Sequence, residues 1–180
     1  MKGPEATRAW VADLVRSGLL SPAALVAEVE AAISADHPEL SVPEVAAAWI
    51  AEARQAWFAE ATGWPEVTDH DRLLRAFALL EERGILVLQG VADHWVARDE
   101  LRRRTPKPAG VAWFTPTDVW HAIDAGMLEV NLWHASTANA APGDTMLAEA
   151  VAAFADAGLA AHFDEGRIEV AARWQRRPSS

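Results

Sequence analysis

The chain has 180 residues, of which 51% are hydrophobic and 23% charged, and its formal net charge at pH 7 is −10. These proportions are typical of a globular chain that buries a hydrophobic core, as one domain or as one domain with an appendage. The sequence contains no cysteine. This excludes a disulfide scaffold, a cysteine-ligated metal site and a thiol nucleophile.

Hydropathy and charge also limit where the protein acts and what it binds. No stretch reaches the roughly 20 consecutive apolar residues of a membrane span, and the first residues lack the apolar core of a signal peptide. We therefore expect a cytoplasmic protein without membrane contact. Because the acidic chain offers no domain-wide positive field, we also expect no general nucleic-acid binding.

The first 65 residues carry a helical pattern. Apolar residues recur every three or four positions over residues 7–18, which indicates a first helix. Ser21 followed by Pro22 is typical of an N-cap with proline at the first helical position, and predicts a second helix. Ser41 and Glu44 have the spacing of a capping box at the start of a third. These thin helices are marginal alone, so we expect them to cover a sheet or to form a separate layer.

Beyond residue 69, short apolar runs alternate with helical stretches. Ile85 to Leu88 are all apolar, which is typical of a buried strand, and residues 127–134 alternate between apolar and polar, as in a half-buried strand. Thr115 is typical of an N-cap and Pro116 of the first helical position, so we predict a helix that begins at Pro116. The predicted order is helix, strand, helix, strand, helix, strand, helix and two strands, over residues 69–84, 85–88, 95–104, 111–114, 116–125, 127–134, 145–157, 159–163 and 168–172.

The last two predicted strands form a hairpin whose register follows from their apolar residues. A four-residue loop over residues 164–167 places Phe163 opposite Ile168, so that all the apolar side chains share one face. A three-residue loop would mix the two faces. The favoured register places His162 opposite Glu169 on the polar face.

These elements predict an α+β protein. We expect an N-terminal helical layer, then a mixed sheet of about five strands with helices packed on it. We assign residues 1–65 to the helical region, residues 66–174 to an α/β sandwich domain and residues 175–180 to a polar, frayed tail.

Four segments carry a resemblance to a known family. They are WPEVTD at residues 64–69, ERGI at residues 82–85, AGL at residues 157–159 and WQRR at residues 174–177. As a set they resemble a bacterial family known only as a domain of unknown function, over nearly the whole chain. The resemblance implies a shared fold and names no activity.

Two further segments depart from the pattern of that family. In the family that the chain resembles, the stretch after the first strand is rich in glycine, threonine, serine and aspartate, and the next strand ends in an aromatic residue, a histidine and an acid. Here these stretches read QGVADH at residues 89–94 and FTPTD at residues 114–118. Thr115 stands where the histidine would be, while Asp118 keeps the acid. We therefore expect no chemistry that depends on that histidine.

Polar and aromatic side chains gather near the predicted strand ends, where helix N-termini converge and small molecules commonly bind. His134 and His162 could also meet carboxylates at one edge of the sheet as a metal cluster. The six histidines show no spacing typical of a metal-binding motif, however, so we predict no metal and no cofactor. The candidate ligand-binding or partner-binding residues are Asp93, His94, Thr115, Asp118, Trp120, Trp133 and His134.

Nucleophilic catalysis and phosphate binding find little support. The glycines form no phosphate-binding loop, and no serine lies in a nucleophile elbow. Ser136 or Thr137 beside His134 is the one remaining arrangement that could supply a nucleophile.

The nine tryptophans, with no tyrosine, are the least ordinary feature. Trp95, Trp120 and Trp133 are hard to place in a core. An indole on a solvated face is typical of a partner-binding surface. The alternative is that the N-terminal helices cover that face. A basic run extends over residues 98–107. One interpretation is that it contacts phosphate or an acidic partner. The other is that its arginines complement the dipole at the C-terminal end of a helix.

Two functions therefore stay open. The first is a non-catalytic interaction or regulatory module that binds a protein partner or a second copy of the chain. The second is a small-molecule-binding protein or hydrolase-type enzyme with a site at the strand ends. A deep, polar pocket there would favour the second.

Overall fold

The computed structural model describes residues 3–178. They form two compact units, one made of residues up to 66 together with those from 175 onward, and the other of residues 67–174. We call these the helical unit and the sheet unit.

Three helices build the helical unit: α1 (Pro4–Ser17), α2 (Pro22–Asp36) and α3 (Val42–Ala61). Each has proline in its first two positions, where the missing N–H would have no helical partner. Gly18 ends α1 with φ of 59°, a left-handed conformation that suits glycine. The helices bury a shared set of aliphatic side chains, including Val11, Leu14, Val29, Ile33, Ala46 and Ile50.

The prediction of a capping box at the start of α3 is wrong, because the hydrogen bond that the Ser41 side chain makes is not a capping bond. The Ser41 hydroxyl does not accept from the backbone of the first turn but donates to the Glu44 carboxylate. Donation to a charged acceptor is a strong bond, but a capping box also needs the hydroxyl oxygen to accept from the backbone of the first turn, and the Ser41 oxygen does not. The same bond lowers the pKa of Glu44.

The predicted frayed tail is also corrected, within the part that the structure describes. The carbonyl oxygen of Arg176 accepts a hydrogen bond of 2.9 Å from the indole Nε1 of Trp57, and Arg177 donates to the carbonyl of Pro65. The polar composition of the segment from residue 175 predicts that it is solvated. Composition alone does not show that one of its backbone carbonyl groups accepts a hydrogen bond from a buried indole. Residues 179–180 lie outside the described part.

The sheet unit interleaves four helices with five strands over its described length. In chain order these are α4 (Asp69–Glu82), β1 (Ile85–Leu88), α5 (His94–Arg103), β2 (Gly110–Trp113), α6 (Pro116–Asp124), β3 (Met127–His134), α7 (Thr145–Asp156), β4 (Ala161–Asp164) and β5 (Arg167–Ala171).

The five strands form one mixed sheet in the order β1-β2-β3-β5-β4. β1 and β2 are parallel, and the other neighbouring pairs are antiparallel. Helices pack on this sheet, so the α+β class predicted from the sequence is confirmed.

The register predicted for the last hairpin is confirmed. Phe163 pairs with Ile168 and His162 pairs with Glu169. The predicted four-residue loop is wrong, however, because Asp164 also pairs with Arg167. Only Glu165 and Gly166 connect the strands, with φ of 40° and 96°, the two positive values that a tight two-residue hairpin turn requires.

The two faces of the sheet differ in polarity. Leu128, Val130 and Leu132 point to one face and are almost fully buried, and α4, α6 and α7 contact the strands of this side. On the other face, α5 covers β1 and β2, where Ala97 and Leu101 pack against Val111 and Trp113 and against their neighbours. The rest of that face carries an ion pair between Arg167 and Glu129 and a contact between His162 and Glu169.

Within residues 3–178, no helix is both long and apolar enough to cross a membrane.

Candidate functional site

The carboxyl ends of β1 and β2 meet at one edge of the sheet because these strands are parallel. Leu88 pairs with Trp113 at this end, and the backbone N–H of Val91 donates to the carbonyl of Phe114 at 3.0 Å. The loops that follow lead to Asp93 and Thr115. The structure thus brings these two predicted site segments to the same edge.

Thr115 and Asp118 form a complete capping box at the start of α6. The Asp118 carboxylate accepts from the backbone N–H of Thr115 at 2.7 Å and from its hydroxyl at 2.8 Å. In return, the Thr115 hydroxyl oxygen accepts from the backbone N–H of Asp118. Asp118 is 7% exposed, so its carboxylate is engaged in stabilising the helix start.

Asp93 has the same kind of role at the start of α5. One oxygen of its carboxylate accepts from the backbone N–H of Trp95 at 2.8 Å and from that of Val96 at 3.0 Å. These are donors that a helix leaves unpaired in its first turn. The two carboxylates of the predicted site therefore bind backbone groups of their own helices.

His134 does not join this edge, which corrects the expected convergence of strand ends. β3 is antiparallel to β2, and His134 pairs with Gly110, the first residue of β2. The end of β3 therefore lies at the opposite edge of the sheet from Thr115. A helix that connects two neighbouring strands is typical of a parallel crossover. Here α6 instead returns the chain to the edge of the sheet at which β2 ends, so that β3 runs antiparallel to β2.

At its own edge His134 forms a pair with Asp144. Its Nε2 lies 2.8 Å from the Asp144 carboxylate, which also accepts from the backbone N–H of Ala141 at 2.8 Å. The bond from Ala141, and then the bond from His134, lower the pKa of Asp144. Asp144 occupies the N-cap position of α7, but its side chain makes no capping bond to that helix.

Two of the tryptophans that were hard to place are packed inside the sheet unit. Trp133 meets Trp113 edge to face at 4.9 Å between ring centroids, beneath α5. Trp120 is half-buried. Within residues 3–178, the indole N–H groups of Trp113 and Trp120 are buried without an acceptor, so these rings contribute mainly as apolar surface.

Trp95 is different because its side chain lies in solvent at the start of α5. It is 53% exposed, while the guanidinium carbon of Arg98 lies 4.3 Å from its ring centroid. The ring of His94 lies 4.5 Å away on the same turn. The cation and the imidazole hold an exposed indole in a defined orientation.

The basic run continues from this indole along α5. Trp95, Arg98 and Arg102 are spaced by three and four residues, so they share one side of the helix. Among the described residues, Arg102 and Lys107 make no ion pair, whereas Arg103 pairs with Glu100 at 2.7 Å. We call the following set the α5 surface: Trp95, Arg98, Arg102, Arg103, Arg104 and Lys107.

The α5 surface is a positive region on an acidic chain. Residues 93–107 contain five basic and three acidic residues, a formal net charge of +2, whereas the whole chain carries −10. The sequence showed the basic run and the tryptophan separately. The spacing of three residues between Trp95 and Arg98 is the sequence signal that they lie together on a helix.

Metal binding finds no support in the described part of the chain. No group of three or more histidine or acidic side chains there could hold an ion. His134 pairs with Asp144, and His162 with Glu169 at 3.5 Å, so the two histidines of the suggested cluster each face a carboxylate of their own.

Comparison with known proteins adds a family but no activity. A family model described as Domain of unknown function (DUF6891) matches residues 3–178. The chain belongs to this family. The expectation of a family of unknown function is thereby confirmed, while its bacterial origin stays a prediction. No curated protein and no solved structure matches the chain significantly.

Proposed function

We propose that the protein is a non-catalytic interaction module that binds an acidic segment of a partner protein through the α5 surface. The observation that carries the proposal is the exposed indole of Trp95, held by Arg98 and continued by Arg102 on one side of α5. A cytoplasmic location, expected from the sequence, is part of the proposal.

The chemistry of the α5 surface suits such a partner. An exposed indole supplies a large apolar area at small entropic cost, and tryptophan and arginine are the residues most often found at the energetic centre of interfaces. The unpaired cations of Arg102 and Lys107 attract carboxylates and lose no existing ion pair on binding.

A short protein segment fits the α5 surface better than a nucleic acid does. α5 has ten residues and is therefore about 15 Å long, which an extended segment of about five residues spans. A nucleic acid would continue past this length onto a chain of net charge −10, where its phosphates are repelled.

The bonding at the strand ends argues against the alternative, a ligand pocket or hydrolase site at that edge. Asp93 and Asp118 bind backbone N–H groups of their own helices, so neither is placed to move a proton on a substrate. His134 lies at the other edge of the sheet. Trp133 packs on Trp113, so the interaction surface is assigned to α5 rather than to the open sheet face.

The test measures fluorescence anisotropy of a labelled peptide of about ten residues, with alternating glutamate and leucine. We expect Trp95→Ala to weaken binding about tenfold and Arg102→Gln about threefold. Arg75→Gln is the matched control, because Arg75 is also an exposed arginine without an ion pair among residues 3–178.

Three results would contradict the proposal. One is that the acidic peptide binds no better than the same peptide with glutamine in place of glutamate. Another is that Trp95→Ala binds as well as the unchanged protein. The third is that a single-stranded oligouridine of equal charge binds more tightly than the peptide.

A further inference from the structure

A cavity of about 570 Å³ opens in the helical unit, apart from the α5 surface. It lies between the end of α1, the start of α2, the second half of α3 and the segment from residue 175. This volume is within the range of about 300 to 1,000 Å³ that is typical of small-molecule sites.

The walls of the cavity are mainly apolar. Phe58 is 46% exposed and Leu20 is 37% exposed, although both are large hydrophobic side chains. Exposed apolar side chains around a concave surface are typical of a binding site, since a ligand would remove their area from water. The apolar lining includes Leu14, Val15, Leu25, Trp57 and Pro178.

Among residues 3–178, the charged residues that line the cavity are two arginines, with no acidic residue beside them. Arg54 is exposed and makes no ion pair within the described chain. Other arginines of the protein are paired with carboxylates outside this lining, as Arg16 is with Glu60 at 2.7 Å. The cavity therefore combines apolar walls with uncompensated positive charge, in a chain that is acidic as a whole.

The second arginine, Arg176, is held in place by three contacts. Its guanidinium lies against Gly18, so that a Cβ at Gly18 would come 2.9 Å from Nε. Its Nη1 lies 3.5 Å from the carbonyl of Ser17, at the negative end of α1. Its own carbonyl accepts from Trp57. This charge is thus positioned before any ligand arrives, which lowers the entropic cost of binding an anion.

We propose that this cavity binds a free medium-chain fatty carboxylate. The alkyl chain would replace water along the apolar walls, and the carboxylate would pair with Arg54 and Arg176. Arginine suits this head group because its planar fork matches the two oxygens of a carboxylate. A cationic head group would be repelled by the two arginines, and no acidic side chain among the described lining residues would offset that repulsion.

The test is isothermal titration of the full chain with sodium decanoate, kept below the concentration at which it forms micelles. We expect saturable binding with one site per chain. Octanoate, shorter by two methylene groups, should bind about fifteenfold more weakly because each buried methylene contributes about fourfold. Decanol and decyltrimethylammonium should show no saturable binding.

Variants locate the site. Arg54→Gln should weaken decanoate binding about fivefold to tenfold and should leave folding intact, because the side chain is exposed and unpaired within residues 3–178. Arg176→Gln should weaken it further, provided that circular dichroism shows an unchanged fold. Arg75→Gln, an exposed arginine of the sheet unit, is the control and should bind decanoate like the unchanged protein.

The proposal is overturned if decanoate does not bind, or if Arg54→Gln and the Arg75→Gln control bind it equally well. Equal binding of decanol, or of decyltrimethylammonium, would show a merely apolar cavity and would overturn it too. Binding of decanoate that is lost on Trp95→Ala would place the ligand on the α5 surface instead.

Discussion

The imidazole Nε2 of His134 and the carboxylate of Asp144 lie 2.8 Å apart and join the end of β3 to the start of α7. The intervening loop is further fixed by the bond from the Ala141 N–H to the same carboxylate. One acidic side chain therefore closes the connection between a central strand and the helix that packs with α4.

The first prediction concerns the dependence of stability on pH. The pKa of Asp144 is lowered in the folded protein from its ordinary value of 3.8. Its contribution to stability is therefore fully present above 3.8 and is lost as pH falls through the lower folded value. We expect Asp144→Asn to unfold at lower urea concentration than the unchanged protein at neutral pH, with the difference shrinking as the pH falls below 3.8 through the lower folded pKa.

Urea unfolding at a series of pH values measures this difference. Glu149→Gln is the control, since it also removes one negative charge from α7 but from an exposed side chain. A difference between Asp144→Asn and the unchanged protein that does not shrink as the pH is lowered below 3.8 would show that the carboxylate's charge is not responsible.

The second prediction concerns Gly110, the first residue of β2. A Cβ there would lie 2.4 Å from the carbonyl oxygen of Trp133 and 2.6 Å from the sulfur of Met146. The backbone oxygen cannot move aside without disturbing β3. We expect Gly110→Ala to lower the free energy of unfolding by about 2 to 3 kcal/mol. Chemical denaturation measures the loss.

Gly63→Ala is the control for this prediction. Its Cβ would meet only the carbonyl oxygen of Glu60, at an ordinary 3.6 Å. We expect a change within about 0.5 kcal/mol. If the two alanine variants were equally stable, the close approach of Gly110 to β3 would be refuted.

The third prediction compares two tryptophans of the same unit. Trp113 is 5% exposed and packs in the cluster beneath α5, whereas Trp95 is 53% exposed. Trp113→Ala should lower the free energy of unfolding by about 3 to 5 kcal/mol, and Trp95→Ala by less than about 1 kcal/mol. Thermal unfolding with parallel denaturant titrations checks both. Similar losses would place Trp95 in the core and leave the α5 surface without its indole.

The fourth prediction concerns Trp57, whose indole donates to the carbonyl of Arg176. Trp57→Phe removes this donor but keeps an aromatic ring. We expect a loss of about 1 kcal/mol and faster removal of the last residues by a carboxypeptidase, because the chain from residue 175 loses an anchor. Trp95→Phe, made at an exposed indole, should change neither. Unchanged digestion of Trp57→Phe would mean that this bond does not hold the segment.

Local sequence signals predicted the parts of the fold that local chemistry decides. Thr115 and Asp118 have the spacing of a cap and form one. The pairing of Phe163 with Ile168 follows from alternation, since a shift by one residue would turn every apolar side chain of the strand to the polar face. Ser41 and Glu44 have the same spacing but form only the bond from the hydroxyl to the carboxylate, because spacing does not decide whether the hydroxyl oxygen faces the backbone N–H.

The candidate site depended on relations that spacing does not encode. Whether β3 runs parallel or antiparallel to β2 decides which edge receives His134, and the composition of the strand is compatible with either. The cavity needs Arg176 beside Gly18, two residues far apart in the sequence. In contrast, Trp95 and Arg98 lie one helical turn apart, so their contact could have been predicted.

The bond between Trp57 and Arg176 joins residues separated by 119 positions. During synthesis, the donor leaves the ribosome long before its acceptor has been translated. The whole sheet unit must emerge first, because it lies between them in the sequence. The helical unit is thus completed last, although its three helices are made first, and the cavity with Arg176 in its wall exists only once translation has passed that residue.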